Sequence, residues 1–203
     1  MTEATDIQHR GRPRLFNEDV VLDQAIELFS SAGYSAVGMN DLTRVTGLKI
    51  GSIYKAYQSK ERFFAKALQR YITLREAQIC TSLEHNKNGR DRISELLHIY
   101  VRLSQGKEGA SGCLMVTGIT EIPNFSFVGN ILRDQISRRK KLISDLVVQG
   151  QNDGSITCAT PPAVVADILI TLFYGMRVLG KAESFITDDD TDTYVSLALK
   201  VLD

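Results

Sequence analysis

The stretch "LKIGSIYKAYQSKERFF", residues 48–64, sets Lys49, Lys55, Lys60 and Arg62 among the hydroxyls of Tyr54 and Tyr57, with Glu61 as its single carboxylate. Just ahead of it, "MNDLTRVTG", residues 39–47, places Leu42 and Val45 three apart and stops at Gly47. This punctuation predicts two short helices around one tight turn, the second opening as "KIGSIYKAY". A third helix precedes them. Val21, Leu22, Ala25, Ile26, Leu28 and Phe29 recur at the spacing of one helical face, and Gly33 ends the run.

The charge of the stretch is local. The whole chain balances 24 Lys and Arg against 24 Asp and Glu. Between positions 44 and 75, however, Arg44, Lys49, Lys55, Lys60, Arg62, Lys66, Arg70 and Arg75 face Glu61 alone. The end of the chain is the acidic pole, with Glu183, Asp188, Asp189, Asp190, Asp192 and Asp203. An electrostatic site therefore belongs to the N-terminal part.

Downstream, Ser59 can cap a long amphipathic helix that carries Phe63, Phe64, Ala67, Leu68 and Tyr71 inward and runs to about Glu84. Further helices are expected at about 90–105, 112–122, 125–151, 161–182 and 189–202. Pro123, the "NDG" of 152–154, and Thr160 as a cap before Pro161 mark their ends. Strand alternation is absent. The fold expected is all-α, with about nine helices: three short ones leading through a long fourth into a larger helical body.

At 203 residues and 43% hydrophobic composition the chain can bury a core. The longest apolar run noted is Ile168 to Met176, so no membrane span is expected. The N-terminus "MTEATDIQHRGRPR" lacks the apolar core of a secretory signal, and a cytoplasmic protein is expected. Cys80, Cys113 and Cys158 fit neither a disulfide framework nor a zinc site and read as free thiols. His9, His85 and His98 form no pair at metal spacing, and "TDDDTD" lacks the glycine and distal glutamate of a calcium loop. No metal or cofactor is implied.

A helix presented after a short turn is the geometry that enters a DNA major groove. Lys49, Lys55 and Lys60 can neutralise phosphates, Tyr54 offers a hydroxyl donor, and Ser59 and Lys60 open a helix whose free N–H groups favour an anion. A solvated amphipathic surface has the same spacing, and on spacing alone both readings stand.

The residues carry a further signal. "VTGLKIGSIYKAYQSKERFF" and "VVLDQAIELFSSAGYSAVGMNDL" resemble, position by position, the two halves of the DNA-binding domain of TetR-type transcriptional repressors, over roughly residues 11–66. The resemblance implies a basic, flexible tail at 1–16, a helix-turn-helix domain at 17–62 and an effector-binding and dimerisation body at 63–203. Leu42, Val45, Leu48, Ile53 and Tyr57 would form the small domain's core. Thr43, Arg44, Lys49, Ser52, Tyr54, Lys55 and Lys60 would face DNA, with Tyr54 and Lys60 on phosphates. Gly38 stands where the family usually caps the second helix with Ser or Thr, and Lys49 and Ile50 replace a small residue followed by lysine. Arg12 and Arg14, extended by Pro13, could enter a minor groove; a tail with incidental charge is the alternative.

In proteins resembling this one the body forms a dimer and holds an effector. The helices at "PPAVVADILITLFYGMRVLG" and "TYVSLALKVL" are expected to make a homodimer contact across a two-fold axis. Cys113, in "SGCLMVTGITEIP", resembles a Gly-Cys-Leu segment of a subgroup in which some members sense reactive compounds; a buried packing cysteine is the alternative. Tyr100, Cys113, Met115, Phe125, Phe127 and Tyr174 are candidates to line an apolar cavity. The implied function is a ligand- or stress-responsive repressor, not an enzyme, that binds a palindromic double-stranded operator as a dimer. A small helical enzyme or an interaction module that binds phosphorylated ligands through the basic 44–75 stretch is the competing reading; no Gly-rich phosphate loop, HExxH or CxxC supports an enzyme.

Overall fold

A computed structural model of the chain describes residues 16–85, 87–183, 185 and 188–203. Arg12 and Arg14 lie outside the described residues. Within them the regular structure is entirely helical: ten α-helices and three 3-10 turns.

Helix α1 (Glu18–Ala32) starts where the Asn17 side chain accepts the N–H of Asp19 at 3.0 Å, and ends at Gly33, with φ 92°. Helix α2 (Met39–Thr46) begins after Gly38, which has no side chain to cap it; half of the missing cap is supplied in reverse, as the Asp41 carboxylate accepts the Gly38 N–H at 3.0 Å. Gly47, at φ 67°, turns the chain into α3 (Ile50–Tyr57). Helix α4 (Lys60–Leu83) is capped by Ser59, whose hydroxyl accepts the Arg62 N–H at 3.1 Å, and at 24 residues it is about 36 Å long.

The body consists of α5 (Gly89–Leu103), α6 (Gly106–Ala110), α7 (Leu114–Thr120), α8 (Val128–Asp153), α9 (Pro162–Lys181) and α10 (Thr191–Ala198). The short α6 occupies a connection in which the sequence pattern marks no helix. Thr160 does not cap α9: Pro161 takes that position in extended backbone, as a residue before another proline must, and Thr160 falls one residue outside.

Two cores form. In the first, Phe29, Phe63 and Phe64 are fully buried between α1 and α4, and Cys113, Leu114, Met115, Val128 and Leu132 of the body complete it. Leu42, Ile53 and Tyr57 are buried as expected, Tyr57 stacked on Phe63 with centroids 4.1 Å apart. Val45, in the last turn of α2, and Leu48, in the turn between α2 and α3, are only half-buried. In the second core α5, α8 and α9 pack face to face around Leu96, Leu97, Val147, Leu169 and Phe173. Glycines permit these crossings. A Cβ on Gly89 would meet the Gly150 nitrogen at 2.3 Å, and one on Gly180 would meet the Ser104 carbonyl oxygen at 2.3 Å.

Helix α9 corrects one expectation. Over Pro162–Lys181 it is long and apolar enough to cross a membrane by length and composition, although the uninterrupted run within it is shorter. In the fold it is a core helix. Val165, Ala166, Leu169, Ile170, Phe173 and Met176 face inward, while Val164, Ile168, Val178 and Leu179 are each about half exposed.

Candidate functional site

The head is built so that α3 projects. Ile53 and Tyr57, four apart, bury one side of the helix, which turns Ser52 and Lys55 to the opposite side and leaves Tyr54 on the flank, 47% exposed. Arg44 is exposed at the end of α2, with its guanidinium 2.7 Å from Asp41, and Lys49 is exposed at the start of α3. Thr43 is half-buried, its hydroxyl donating to the Asn40 carbonyl at 2.7 Å. Ile50, 45% exposed beside Lys49, joins this surface as an apolar element. These groups form one basic, hydroxyl-bearing face across α2 and α3.

Lys60 sits at the edge of that face. Its ammonium lies 4.3 Å from the centroid of the Tyr34 ring. Burial pushes its pKa down and the Glu121 carboxylate pushes it back up. Lys60 therefore belongs to a small cluster with Tyr34 and Glu121 as well as to the exposed surface.

Three polar clasps tie this head to the body. The Glu121 carboxylate, at the end of α7, accepts the backbone N–H of Tyr34 at 2.8 Å and of Ser35 at 2.9 Å, and also the Ser35 hydroxyl. The Glu61 carboxylate, in the first turn of α4, accepts the N–H groups of Ser126 and Phe127 at 2.9 Å each, so that it caps α8. The Lys181 ammonium, at the end of α9, donates to the carbonyls of Ser30 and Ser31 at 2.9 Å each, the last turn of α1. Burial would raise the pKa of both glutamates, but these hydrogen bonds outweigh it and hold both below the usual carboxylate value.

Within the body, α4, α5, α7, α8 and α9 enclose a cavity of about 40 Å³. Four of the residues proposed to line a cavity, Tyr100, Cys113, Met115 and Tyr174, do line it. Phe125 and Phe127 do not. The turn at Ile122–Asn124 sends Phe125 back into the first core, its ring 4.6 Å from Tyr34 and 5.2 Å from Phe64, and leaves Phe127 exposed. Nor is the cavity apolar. Arg75, Gln135, Arg139 and Arg177 line it together with Tyr71. Cys113, at the position before α7, is buried with its sulfur 3.4 Å from the Tyr71 hydroxyl. Burial raises the pKa of Tyr71, Tyr100 and Tyr174, keeping their hydroxyls protonated. The signal that could have located these residues is Arg177 itself, a cation within the otherwise apolar "LITLFYGMRVLG".

A three-helix head with an exposed, basic α3 defines a helix-turn-helix DNA-binding protein. Residues 21–67 match the family described as bacterial regulatory proteins, tetR family. The N-terminal part of the chain is thus similar to the DNA-binding domain of the TetR family, and the relatives it matches are described as transcriptional regulators. It is similar to the HTH-type transcriptional repressor ComR of Escherichia coli, with 27% identity over 174 residues, 83% of this chain and 81% of that protein. It is also similar to the HTH-type transcriptional repressor NemR of Escherichia coli, with 26% identity covering 76% of this chain and 79% of that one. Among solved structures, a cysteine-substituted form of the TetR family transcriptional regulator CifR, complexed with 26-base-pair double-strand operator DNA, superposes with a TM-score of 0.82 at 26% identity, over 95% of this chain and 100% of that one.

Proposed function

We propose that this regulator is a repressor that binds a palindromic operator as a homodimer and releases it when an effector enters the cavity or modifies Cys113. Thr43, Arg44, Lys49, Ser52, Tyr54, Lys55 and Lys60 contact the operator; Tyr54 and Lys60 hold phosphates, while Thr43 and Lys55 reach base edges. Ile50 adds apolar contact of the kind a thymine methyl accepts. Arg12 and Arg14 reach the neighbouring minor groove. The exposed faces of α9 and α10, with Val164, Ile168, Val178, Leu179 and Leu197, form the two-fold contact that sets the spacing of the two heads. Relatives described as repressors, and a neighbour complexed with operator DNA, support this reading.

The observation that carries the effector response is a spacing on α9. Arg177 lines the cavity, and Lys181, one helical turn later, holds the end of α1. Helix α7 repeats the arrangement: Cys113 lines the cavity before it begins and Glu121 holds the α1–α2 turn after it ends. A displacement at the cavity is thereby transmitted to the head by short, rigid elements. Release follows only if the effector binds the non-matching arrangement of heads more tightly than the matching one.

The test is fluorescence anisotropy on the DNA upstream of the protein's own gene, first under reductant and then after a thiol-specific oxidant, for wild type and Cys113→Ser. Salt-sensitive binding under reductant is expected. Release of wild type on oxidation while Cys113→Ser stays bound assigns the response to the thiol. If both stay bound, Cys113 is a packing residue and the response belongs to the cavity alone. Absence of salt-dependent binding to any DNA would overturn the reading.

A further inference from the structure

The cavity's charge is unbalanced in a way that names its ligand. Arg75, Arg139 and Arg177 line it, and no Asp or Glu does. Arg75 is matched: its guanidinium pairs with Glu108. Arg177 is not. It is 2% exposed, its Nη2 donates to the Gly112 carbonyl at 2.5 Å, and its Nε and Nη1 are buried with no hydrogen-bond partner. Arg139, 6% exposed, has no ion pair or hydrogen bond among the described residues. Guanidinium groups do not shed their proton inside a protein, so the excess charge stays and must be met by an incoming group.

From this we infer that the cavity is a binding site for a small planar oxyanion of about carboxylate size, taken as the effector; the inference rests on the effector reading of the cavity given above. Arg177 supplies unpartnered donors on Nε and Nη1, which lie on different edges of its planar guanidinium, so each offers a charge-assisted hydrogen bond to one oxygen of an anion. The hydroxyls of Tyr100 and Tyr174, residues that also line the cavity, are protonated and can donate. Met115 and Ile99 add apolar lining, enough for one small apolar group. Size sets the limit. A water-sized position takes about 10–15 Å³ of such volume, so 40 Å³ admits roughly three or four heavy atoms without rearrangement. The groove between α4 and α8, lined by Arg92, Arg138, Glu76 and Glu84, adjoins the inner cavity through the shared residues Ile79 and Arg139.

The experiment is titration calorimetry of the full-length protein with sodium acetate, sodium nitrate and neutral acetamide, at an ionic strength held by gluconate, which is too large for the cavity. Saturable binding of acetate and nitrate is expected, with acetamide at least tenfold weaker. Arg139→Gln and Arg177→Lys should each weaken acetate tenfold or more while the far-ultraviolet dichroism stays helical. Having two variants keeps the test valid if loss of the Gly112 contact unfolds one. Equal binding of acetamide, no saturable heat, or unchanged affinity in the folded variants overturns the anion site. Operator anisotropy with acetate separates the two readings. Acetate that binds in calorimetry but leaves operator affinity unchanged overturns its role as effector. Operator release by a neutral apolar compound, with no acetate binding, overturns the anion inference and leaves the effector reading standing.

Discussion

The Glu121 carboxylate accepts the backbone N–H of Tyr34 at 2.8 Å across 87 residues of chain. That bond fastens the end of α7 to the turn between α1 and α2, so the reading head is not a bead on a string. Its orientation is set by groups that belong to the body. Glu61 does the same in the other direction, as a residue of α4 that caps α8.

Both clasps make stability depend on pH with a definite sign. The folded pKa of each glutamate lies below the unfolded value of about 4.3, so the stabilisation is fully present above that pH and is lost as pH falls through the lower folded value. Thermal melts at pH 7 and between pH 5 and 3 should show a steeper acid loss in wild type than in Glu61→Gln. At pH 7 the same substitution should lower stability by about 1–2 kcal/mol, from weaker hydrogen bonds to a neutral acceptor. An acid profile identical to wild type would remove Glu61 from the clasp.

Tyr54→Phe removes one hydroxyl from the exposed flank of α3 without touching the core. It should weaken binding to every DNA sequence by about 1 kcal/mol, measured by anisotropy at fixed salt. Lys55→Ala should instead change which operator variants are preferred. A uniform loss for Lys55 and a sequence-specific one for Tyr54 would exchange their roles.

Glycines at helix crossings give a stability contrast. Gly180→Ala drives a methyl to 2.3 Å from the Ser104 carbonyl oxygen and should destabilise by about 2–3 kcal/mol in urea unfolding. Gly51→Ala, in α3, meets nothing within 4 Å and should be neutral or stabilising by up to about 1 kcal/mol. Equal effects would mean that the contact between α9 and the end of α5 relaxes freely.

Ile168→Glu places a charge on the exposed face of α9 without entering the core. Sedimentation should show a monomer where wild type is a dimer, and operator affinity should fall with it. A dimeric Ile168→Glu protein would move the two-fold contact elsewhere.

The head was legible in the sequence because its signals are local. Gly33, Gly47 and Ser59 end or begin helices through backbone conformation and capping, which no distant residue alters. The cavity was not. Phe125 and Phe127 have the composition of a ligand wall, yet the turn at Ile122–Asn124 decides where they go. Arg139, in the basic run "RRKK", looks like an ordinary surface cation until helix packing encloses it, and Arg177 stands out only by its apolar neighbours. Burial is a tertiary property, and sequence spacing records it only indirectly. The apolar reach of α9 has the same origin: its ends fall where expected, at Pro162–Lys181, and Arg177 interrupts the apolar pattern but not the helix.

Helix α9 is a single rod of 20 residues, about 30 Å long, with Arg177 in the cavity, Lys181 on α1 and Val178 and Leu179 exposed between them. In the proposed dimer, with its outer face against a second copy, the rod could not shift in one subunit without disturbing its twin. Occupancy of one cavity would then alter the affinity of the other, and the dose–response curve would be steeper than a simple hyperbola, giving a threshold in effector concentration instead of a graded fade.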